Sequence, residues 1–311
     1  MKSGLVSDVD YLLAGQGSTW PMLARGLDGL RASRTRTEIV AGRPLLVRHI
    51  PHRIGSTTAP VDAASIARRP CFLCASNLPR EQHGIPFDSE YALYCNPFPI
   101  LERHLTIIHV DHRPQRIAGS LHAMLRISEA LPDSFIIYNG AQCGASAPDH
   151  MHFQACSREV FPIEQDARGI DGPIPDYARR VFVFRDRDAK RLANRLDTLM
   201  NTLADVTGSA AEPLVNIATY YEDGQWTAFA FPRGKHRPRV FETGEMTVSP
   251  ASIDLCGVFV VPVEKDFERI RGVDIERIFE EITLREDVFA EVLEGFAERD
   301  SPPQRGGVDA P

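Results

Sequence analysis

The most regular alternation of polar and hydrophobic positions along this chain lies in residues 149–156. If the segment is an extended strand, successive side chains point to opposite faces. The polar face would then carry His150, His152 and Gln154, and the hydrophobic face would carry Met151, Phe153 and Ala155. Such a strand packs one face into a core and leaves the other for chemistry, so it is the first candidate for a functional site.

Patterns elsewhere predict a mixture of helices and strands. Hydrophobic residues three or four apart indicate helices, and alternating runs bounded by turn residues indicate strands. The predicted helices are residues 1–33, 120–131, 188–203 and 273–297, and the predicted strands are two within residues 37–50, then 91–95, 104–110, 135–139 and 258–263. A hairpin turn is expected at Glu222-Asp223-Gly224. The fold class predicted is α+β.

A connector rich in proline, glycine and aspartate separates two halves of similar strand and helix content at residues 166–176. We predict a first unit at residues 1–160, a second unit at 161–298 that contributes to substrate binding, and a disordered tail at 299–311. Because only the first half contains a His-x-His, the interpretation is a duplicated α+β unit with one catalytic copy.

Composition limits the classes of partner. The chain of 311 residues has a formal net charge of −7, so it has no basic field that would hold a nucleic acid polymer. Asp8 and Asp10 interrupt the first apolar run, and the longest later run, residues 257–263, is too short to cross a bilayer. We expect a cytoplasmic protein, a monomer or homodimer, that acts on small molecules and not on membranes.

The loop before the alternating segment is rich in small residues. Gly140, Gly144 and Ser146 would let backbone amides approach an anion closely. Imidazoles beside an anion site indicate phosphorus chemistry. For His152 the alternative is a histidine satisfied within a core, but its position beside this loop favours a functional role.

Cys71 and Cys74 are separated by two residues, a spacing with which two thiolates can bind one tetrahedrally coordinated metal ion. Two further ligands would come from the histidines of the first half, with His104, His109, His112 and His150 as candidates. The alternatives are a redox pair or two unlinked core cysteines. Zinc bound by four protein ligands would be structural, because no position remains open for water or substrate.

Several ordered motifs resemble those of galactose-1-phosphate uridylyltransferase and its relatives in the HIT superfamily. They are Pro51-His52-Arg53, residues 71–77, Asn96-Pro97-Phe98-Pro99, residues 110–112 and residues 139–154. Residues 150–155 and 232–238 look most like GDP-L-galactose phosphorylase. The resemblance implies a HIT-like antiparallel sheet with packed helices, in two tandem HIT-like units.

The resemblance also implies residue roles. His152 would be the nucleophile that forms a covalent nucleotidyl-histidine, and Gln154 matches the glutamine of the transferase branch, where hydrolases have a third histidine. Phosphate and nucleoside contacts would come from Ser146, Arg53, Asn96, Phe98, Asn139, Gly140 and Gly144, and a hexose contact from Glu264. The implied zinc ligands are Cys71, Cys74, His112 and His150.

The basic run at Arg233, Lys235 and Arg237 is either a substrate-phosphate contact or a solvated turn. The leading functional hypothesis is a phosphorylase or nucleotidylyltransferase that moves a nucleoside monophosphate from a nucleotide sugar to phosphate or a sugar phosphate. A second is a dinucleoside polyphosphate phosphorylase, for instance of diadenosine tetraphosphate. A third, of another class, is a non-catalytic zinc-stabilised nucleotide-binding protein.

Overall fold

The computed structural model describes residues 4–158 and 160–300. Its helices are α1 (Gly4–Thr19), α2 (Pro21–Arg31), α3 (Ile54–Thr57), α4 (Ala63–Ala67), α5 (Leu121–Ala130), α6 (Pro162–Asp166), α7 (Ala189–Thr207), α8 (Arg239–Glu242), α9 (Ser252–Leu255), α10 (Glu264–Arg269), α11 (Gly272–Ile282) and α12 (Glu286–Asp300). Its strands are β1 (Arg34–Val40), β2 (Arg43–His49), β3 (Gly84–Pro86), β4 (Tyr91–Cys95), β5 (Leu105–His109), β6 (Ser134–Asn139), β7 (His152–Ser157), β8 (Gly172–Pro173), β9 (Phe182–Asp186), β10 (Val215–Glu222), β11 (Gln225–Pro232) and β12 (Val258–Val261).

One antiparallel sheet organises the described residues. Nine strands form it in the order β3-β4-β5-β7-β6-β10-β11-β9-β8 within residues 4–158 and 160–300. The predicted α+β class, an antiparallel sheet with packed helices, is confirmed. Strand β6 pairs with β10, where Asn139 lies opposite Asn216, so both halves of the chain share the sheet. The division at residues 160 and 161 into tandem units stays a prediction.

The sheet is buried on both faces. On β6, Ile136 and Tyr138 pack into one core with α5, α7 and α12, whereas Phe135 and Ile137 pack into a second core. A smaller sheet of β1, β2 and β12 and the helix α11 cover that second core. Because each side of β6 meets hydrophobic residues, the strand is a nearly continuous hydrophobic run, as central strands buried on both faces are.

Local signals fix several elements where the sequence predicted them. Helix α7 begins after Asp188, whose side chain accepts a hydrogen bond from the Arg191 amide, and it ends at Gly208 with φ 66°. The β10–β11 hairpin turns at Asp223 and Gly224, with φ 50° and 74°. Positive φ at both turn residues is what a two-residue hairpin requires.

Two predicted segments differ from the structure. Residues 273–297 were expected to be helical throughout, but the helix is interrupted between α11 and α12, where Thr283 forms a bridge with Arg233 at the end of β11. The predicted connector at residues 166–176 contains β8, which extends the sheet by pairing with β9. Of the tail expected at 299–311, residues 301–311 lie outside the described residues, and Arg299 and Asp300 end α12.

No helix in the described part of the chain combines the length and apolarity needed to cross a membrane. All six cysteines lie in that part and are free thiols.

Candidate active site

A cavity of about 560 Å³ lies where β7 begins, and segments from both halves of the chain line it. Nine of the predicted site residues reach its wall: Arg53, Asn96, Phe98, Asn139, Gly144, Ser146, His152, Gln154 and Arg237. Four predicted residues do not line it, namely Gly140, Arg233, Lys235 and Glu264. The structure therefore brings most of the motif residues together around one space.

The alternating segment is a strand only from His152 onward. Phe153 and Ala155 enter the hydrophobic core behind the sheet, whereas His152 and Gln154 face the cavity. The predicted separation of faces is confirmed for these residues. The expectation for His150 is wrong, because a turn closed by the bond from its amide to the Ala147 carbonyl (3.2 Å) takes it out of the strand.

The imidazole of His152 is held in one orientation. Its Nδ1 lies 2.8 Å from the backbone carbonyl of His150, which can only accept, so Nδ1 carries the proton. Burial lowers the pKa of His152 to about 4, so the ring is neutral at pH 7. Among the described residues Nε2 has no hydrogen-bond partner, which leaves its lone pair for a ligand in the cavity.

Gln115 separates β6 from β7 beside this histidine. The register that pairs Ile137 with Gln154 would, if continued, pair Asn139 with His152. Instead the buried Gln115 amide lies between them: it accepts from the His152 amide (2.8 Å) and donates to the carbonyls of Asn139 (2.9 Å) and His152 (3.0 Å). The backbone groups stay satisfied while the strands part and the cavity opens.

The loop after β6 brings Ser146 and the Asn139 side chain to the cavity. Gly144 has φ 95°, and a Cβ atom there would lie 2.5 Å from Cβ of Ala251, so the loop path requires glycine. Gly140 serves packing instead, because a Cβ at this position would lie 2.8 Å from the Val215 carbonyl oxygen.

The Asn139 side chain is oriented by residues of the second half. Its Oδ1 accepts from Asn216 Nδ2 (2.8 Å), the Ser252 amide (3.0 Å) and Ser252 Oγ (2.7 Å). With the oxygen occupied, the amide NH2 is the end that remains for the cavity. Asn139 thus presents hydrogen-bond donors, as a site for phosphate oxygens needs.

Arg233 acts in that network and not at the cavity wall. Its buried guanidinium donates to Asn216 Oδ1 (2.6 Å) and to four backbone carbonyls: Pro250 and Lys235 (both 3.1 Å), Ile282 (3.0 Å) and His236 (2.9 Å). The expectation of a phosphate contact does not fit these partners. Arg233 instead holds Asn216, and through it Asn139.

The other members of the basic run differ in position. Lys235 forms ion pairs with Glu242 (2.9 Å) and Glu281 (2.8 Å). Arg237 lines the cavity and donates from Nε to Ser249 Oγ (3.2 Å) and from Nη2 to the carbonyls of Thr57 (3.2 Å) and Ala59 (3.0 Å). Glu264 pairs with Arg34 at 2.8 Å, away from the cavity wall.

Arg53 supplies positive charge to the cavity. Desolvation lowers its pKa to about 10, against the attraction of Asp254, so the guanidinium stays protonated at pH 7. Nη1 donates to the Phe98 carbonyl (2.9 Å), while the buried Nε has no partner among the described residues. Burial raises the pKa of the neighbouring Asp254 to about 6, although the amides of Val260 and Ala251 donate to its carboxylate (both 2.8 Å).

Asn96 and Phe98 shape one end of the cavity. Asn96 Oδ1 accepts from the Phe98 amide (2.9 Å), and its Nδ2 donates to Thr106 Oγ1 (3.2 Å). These bonds fix the loop, and the Phe98 ring is 39% exposed, which leaves a flat face available for stacking.

The four implied metal ligands lie together beside the site. One ligand atom from each of Cys71, Cys74, His112 and His150 falls within 4.8 Å of all the others. His150 Nε2 lies 2.8 Å from the His109 carbonyl, so Nε2 carries the proton and Nδ1 faces the thiols. Two thiols and two imidazoles are a donor set that could bind a metal ion.

Sequence reasoning missed Gln115, Asn216 and Asp254. None lies in a motif that resembles a known family, and a single buried amide or acid leaves no periodic signal. The bonds that give these residues importance join positions such as 115 and 152, or 216 and 139, which are far apart in the chain.

Comparison with known families and structures agrees with this geometry. Residues 12–157 match a family model described as "Domain of unknown function (DUF4922)", and residues 172–299 match one described as "GDPGP1-like, C-terminal domain". A search of curated proteins gave no match. The match of residues 172–299 to the GDPGP1-like model agrees with the predicted resemblance to a nucleotidylyltransferase or phosphorylase.

Solved structures of similar fold include yeast Ap4A phosphorylase Apa2. Its complex with AMP is 15% identical, with a TM-score of 0.63 over 89% of this chain and 96% of that chain. Its complex with Ap4A is also 15% identical, with a TM-score of 0.60 over 81% of this chain and 90% of that chain. At this identity the likeness shows a shared fold.

Replacing Gln115 with alanine tests its role between the strands. Gln115→Ala leaves buried backbone groups of Asn139 and His152 without a partner, so the free energy of unfolding should fall by about 1–3 kcal/mol. Denaturant unfolding measures this. Gln142→Ala, which removes an exposed glutamine from the loop after β6, is the control, and equal unfolding midpoints for the two variants would contradict the role given to Gln115.

Proposed function

We propose that this protein is a nucleotidylyltransferase of the phosphorylase type that works through a covalent adduct on His152. The observation that carries the proposal is the state of His152: a neutral imidazole in the cavity wall, with Nδ1–H held by the His150 carbonyl and Nε2 unpartnered among the described residues. A neutral imidazole is a nucleophile at pH 7 without a separate base.

The two displacements balance without a proton shuttle. His152 Nε2 attacks the α-phosphorus of the donor, and the bond from phosphorus to the leaving oxygen breaks, so the leaving group departs as a phosphate anion. The His150 carbonyl stabilises the cationic ring of the adduct. An oxygen of phosphate or a sugar phosphate then attacks the same phosphorus, the bond to Nε2 breaks, and His152 returns to its neutral form.

The surrounding donors suit the charge on the transferred group. Arg53 offers a protonated guanidinium whose Nε has no hydrogen-bond partner in the described part of the chain. The amide groups of Asn139 and Gln154 and the Ser146 hydroxyl line the cavity and can donate to phosphoryl oxygens. The exposed Phe98 ring is suited to stack on a nucleobase. Gln154 cannot transfer a proton at neutral pH, which fits an acceptor that is already an anion.

Two donor classes remain as candidates. A nucleotide sugar is favoured by the similarity of residues 150–155 and 232–238 to GDP-L-galactose phosphorylase and by the match of residues 172–299 to the GDPGP1-like model. A dinucleoside polyphosphate is favoured by the shared fold with an Ap4A phosphorylase solved with AMP and with Ap4A. A non-catalytic nucleotide-binding protein would not need His152 and Gln154 side by side in the cavity.

The first experiment incubates the protein with nucleotide sugars and dinucleoside polyphosphates labelled at the α-phosphorus. His152→Ala should fold, because among the described residues the ring loses one hydrogen bond, that from Nδ1 to the His150 carbonyl. It should take up no acid-labile, alkali-stable label. His122→Ala, which removes an exposed histidine of α5, should label like the unaltered protein. Appreciable turnover by His152→Ala would contradict the covalent mechanism.

We also propose that Cys71, Cys74, His112 and His150 hold a structural zinc ion. Four protein ligands leave no open position, so the ion would brace the loop that leads into β7 and take no part in the reaction. The ion would tie residues 71–74 to the turn that orients His152.

Zinc should copurify at about one equivalent, because a four-ligand site binds one ion. Cys74→Ser should lower the zinc content and the thermal stability together, since binding energy at such a site is folding energy. Metal analysis and thermal unfolding measure both quantities. Cys95→Ser, a buried cysteine outside the cluster, should keep its zinc; fully active protein purified without chelators and found to lack zinc would contradict the proposal.

Arg237 is proposed to bind the phosphate acceptor or the distal phosphate of the donor. Arg237→Ala should weaken productive binding of phosphate by about 1–3 kcal/mol if a charge-assisted hydrogen bond is lost. Lys235→Ala is the matched control, because Lys235 belongs to the same basic run but pairs with Glu242 and Glu281. Steady-state kinetics with varied phosphate measure the effect, and equal constants for both variants would leave the acceptor site elsewhere.

A further inference from the structure

The orientation of the Gln154 amide is determined by His104, a histidine that the proposed reaction does not use. His104 is 2% exposed and directly precedes β5. Its Nδ1 lies 3.0 Å from the backbone amide of Ile100, and its Nε2 lies 2.8 Å from Gln154 Oε1. The two contacts lie at opposite ends of one ring.

These contacts assign the proton on His104. A backbone amide can only donate, so His104 Nδ1 accepts and is unprotonated. The ring is neutral, because burial lowers its pKa to about 3, with the charge of Arg53 acting in the same direction. A neutral imidazole with an accepting Nδ1 carries its proton on Nε2, which therefore donates to Gln154.

The proton on His104 Nε2 determines which end of the Gln154 amide faces the ring. Its oxygen faces the Nε2–H of His104, and the flipped amide would set two donors against each other in a buried place, which costs the hydrogen bond and leaves both groups unsatisfied. The NH2 end is therefore the end that Gln154 presents to the cavity. Among the described residues it has no hydrogen-bond partner.

We propose that His104 is a positioning residue that fixes the Gln154 amide with NH2 toward the cavity and so selects an anionic acceptor over water. The inference rests on the proposed function, because it concerns the second displacement on the His152 adduct. In that displacement phosphate and water are alternative acceptors that attack the same phosphorus.

The two acceptors differ in what they need from Gln154. A phosphate oxygen is already deprotonated: it forms the new bond to phosphorus as the bond to His152 Nε2 breaks, and an N–H donor steadies the anionic oxygens. Water must in addition lose a proton, and an acceptor such as an amide oxygen would orient it for attack, as glutamine does for water in some GTPases. An amide fixed with NH2 inward favours phosphate and gives water no such acceptor.

Two substitutions at position 104 separate the two contacts of the ring. His104→Gln keeps a side-chain N–H near the depth of Nε2 and can still donate to Gln154. His104→Asn keeps an acceptor near Nδ1 for the Ile100 amide but has no group that reaches Gln154. Both variants remain polar at the same buried place, so the pair is matched for loss of the imidazole.

In the experiment the labelled adduct is isolated and allowed to react in water that contains phosphate. The measured quantity is the ratio of hydrolysis to phosphorolysis. In His104→Asn this ratio should rise on the order of tenfold, because the hydrogen bond that orients the Gln154 amide is lost. In His104→Gln it should stay near the value of the unaltered protein. In a Gln154→Ala background, His104→Asn should change the ratio no further, since residues that act through one another are not additive.

Equal ratios in the two His104 variants, or an undiminished effect of His104→Asn in the Gln154→Ala background, would show that His104 is only structural. Absence of any adduct in the unaltered protein would instead reject the proposed function. If His104→Asn does not fold, two-bond 1H–15N correlation spectra of the unaltered protein report the tautomer directly. A proton on Nε2 is expected, and a proton on Nδ1 would overturn the inference.

Discussion

The parting of β6 and β7 at their cavity ends is the constraint on which the site depends. Both strands lie in the middle of a sheet buried on both faces, where a backbone group that loses its partner is costly. Gln115 takes the place of a ladder pair with its own amide, so the His152 amide and the carbonyls of Asn139 and His152 keep hydrogen-bond partners. His152 on one strand and Asn139 on the other then face a common space.

The second half of the chain completes that space. Arg233 after β11 holds Asn216 on β10, and Asn216 with Ser252 holds the oxygen of Asn139. In these buried hydrogen bonds the Arg233 guanidinium, the Asn216 amide and the Asn139 oxygen all have partners, the condition under which a polar network specifies one arrangement. The second half therefore positions Asn139 and the loop after β6 through buried hydrogen bonds as well as by lining the cavity.

A single chemical principle recurs around the cavity. At Asn139 and at Gln154, protein donors occupy the amide oxygen, and the NH2 end remains for a ligand. At His152, a carbonyl occupies Nδ1 and leaves the lone pair of Nε2. In each case a hydrogen bond on the protein side fixes what the side chain offers, so these three residues present two amide NH2 groups and one unprotonated imidazole nitrogen to the cavity.

The sequence alone determined what depends on local pattern: the alternating faces of Phe153 and Gln154, the hairpin turn at Gly224, the glycine loop at Gly144, and the spacing of Cys71 and Cys74. Periodicity and backbone conformation encode these, because neighbouring residues decide them. Only the tertiary structure decided that His150 lies in a turn outside the strand, that the buried Arg233 guanidinium holds Asn216, and that Gln115 separates the strands. Those outcomes are hydrogen bonds between residues distant in the chain, whose geometry exists only once both halves have packed into one sheet.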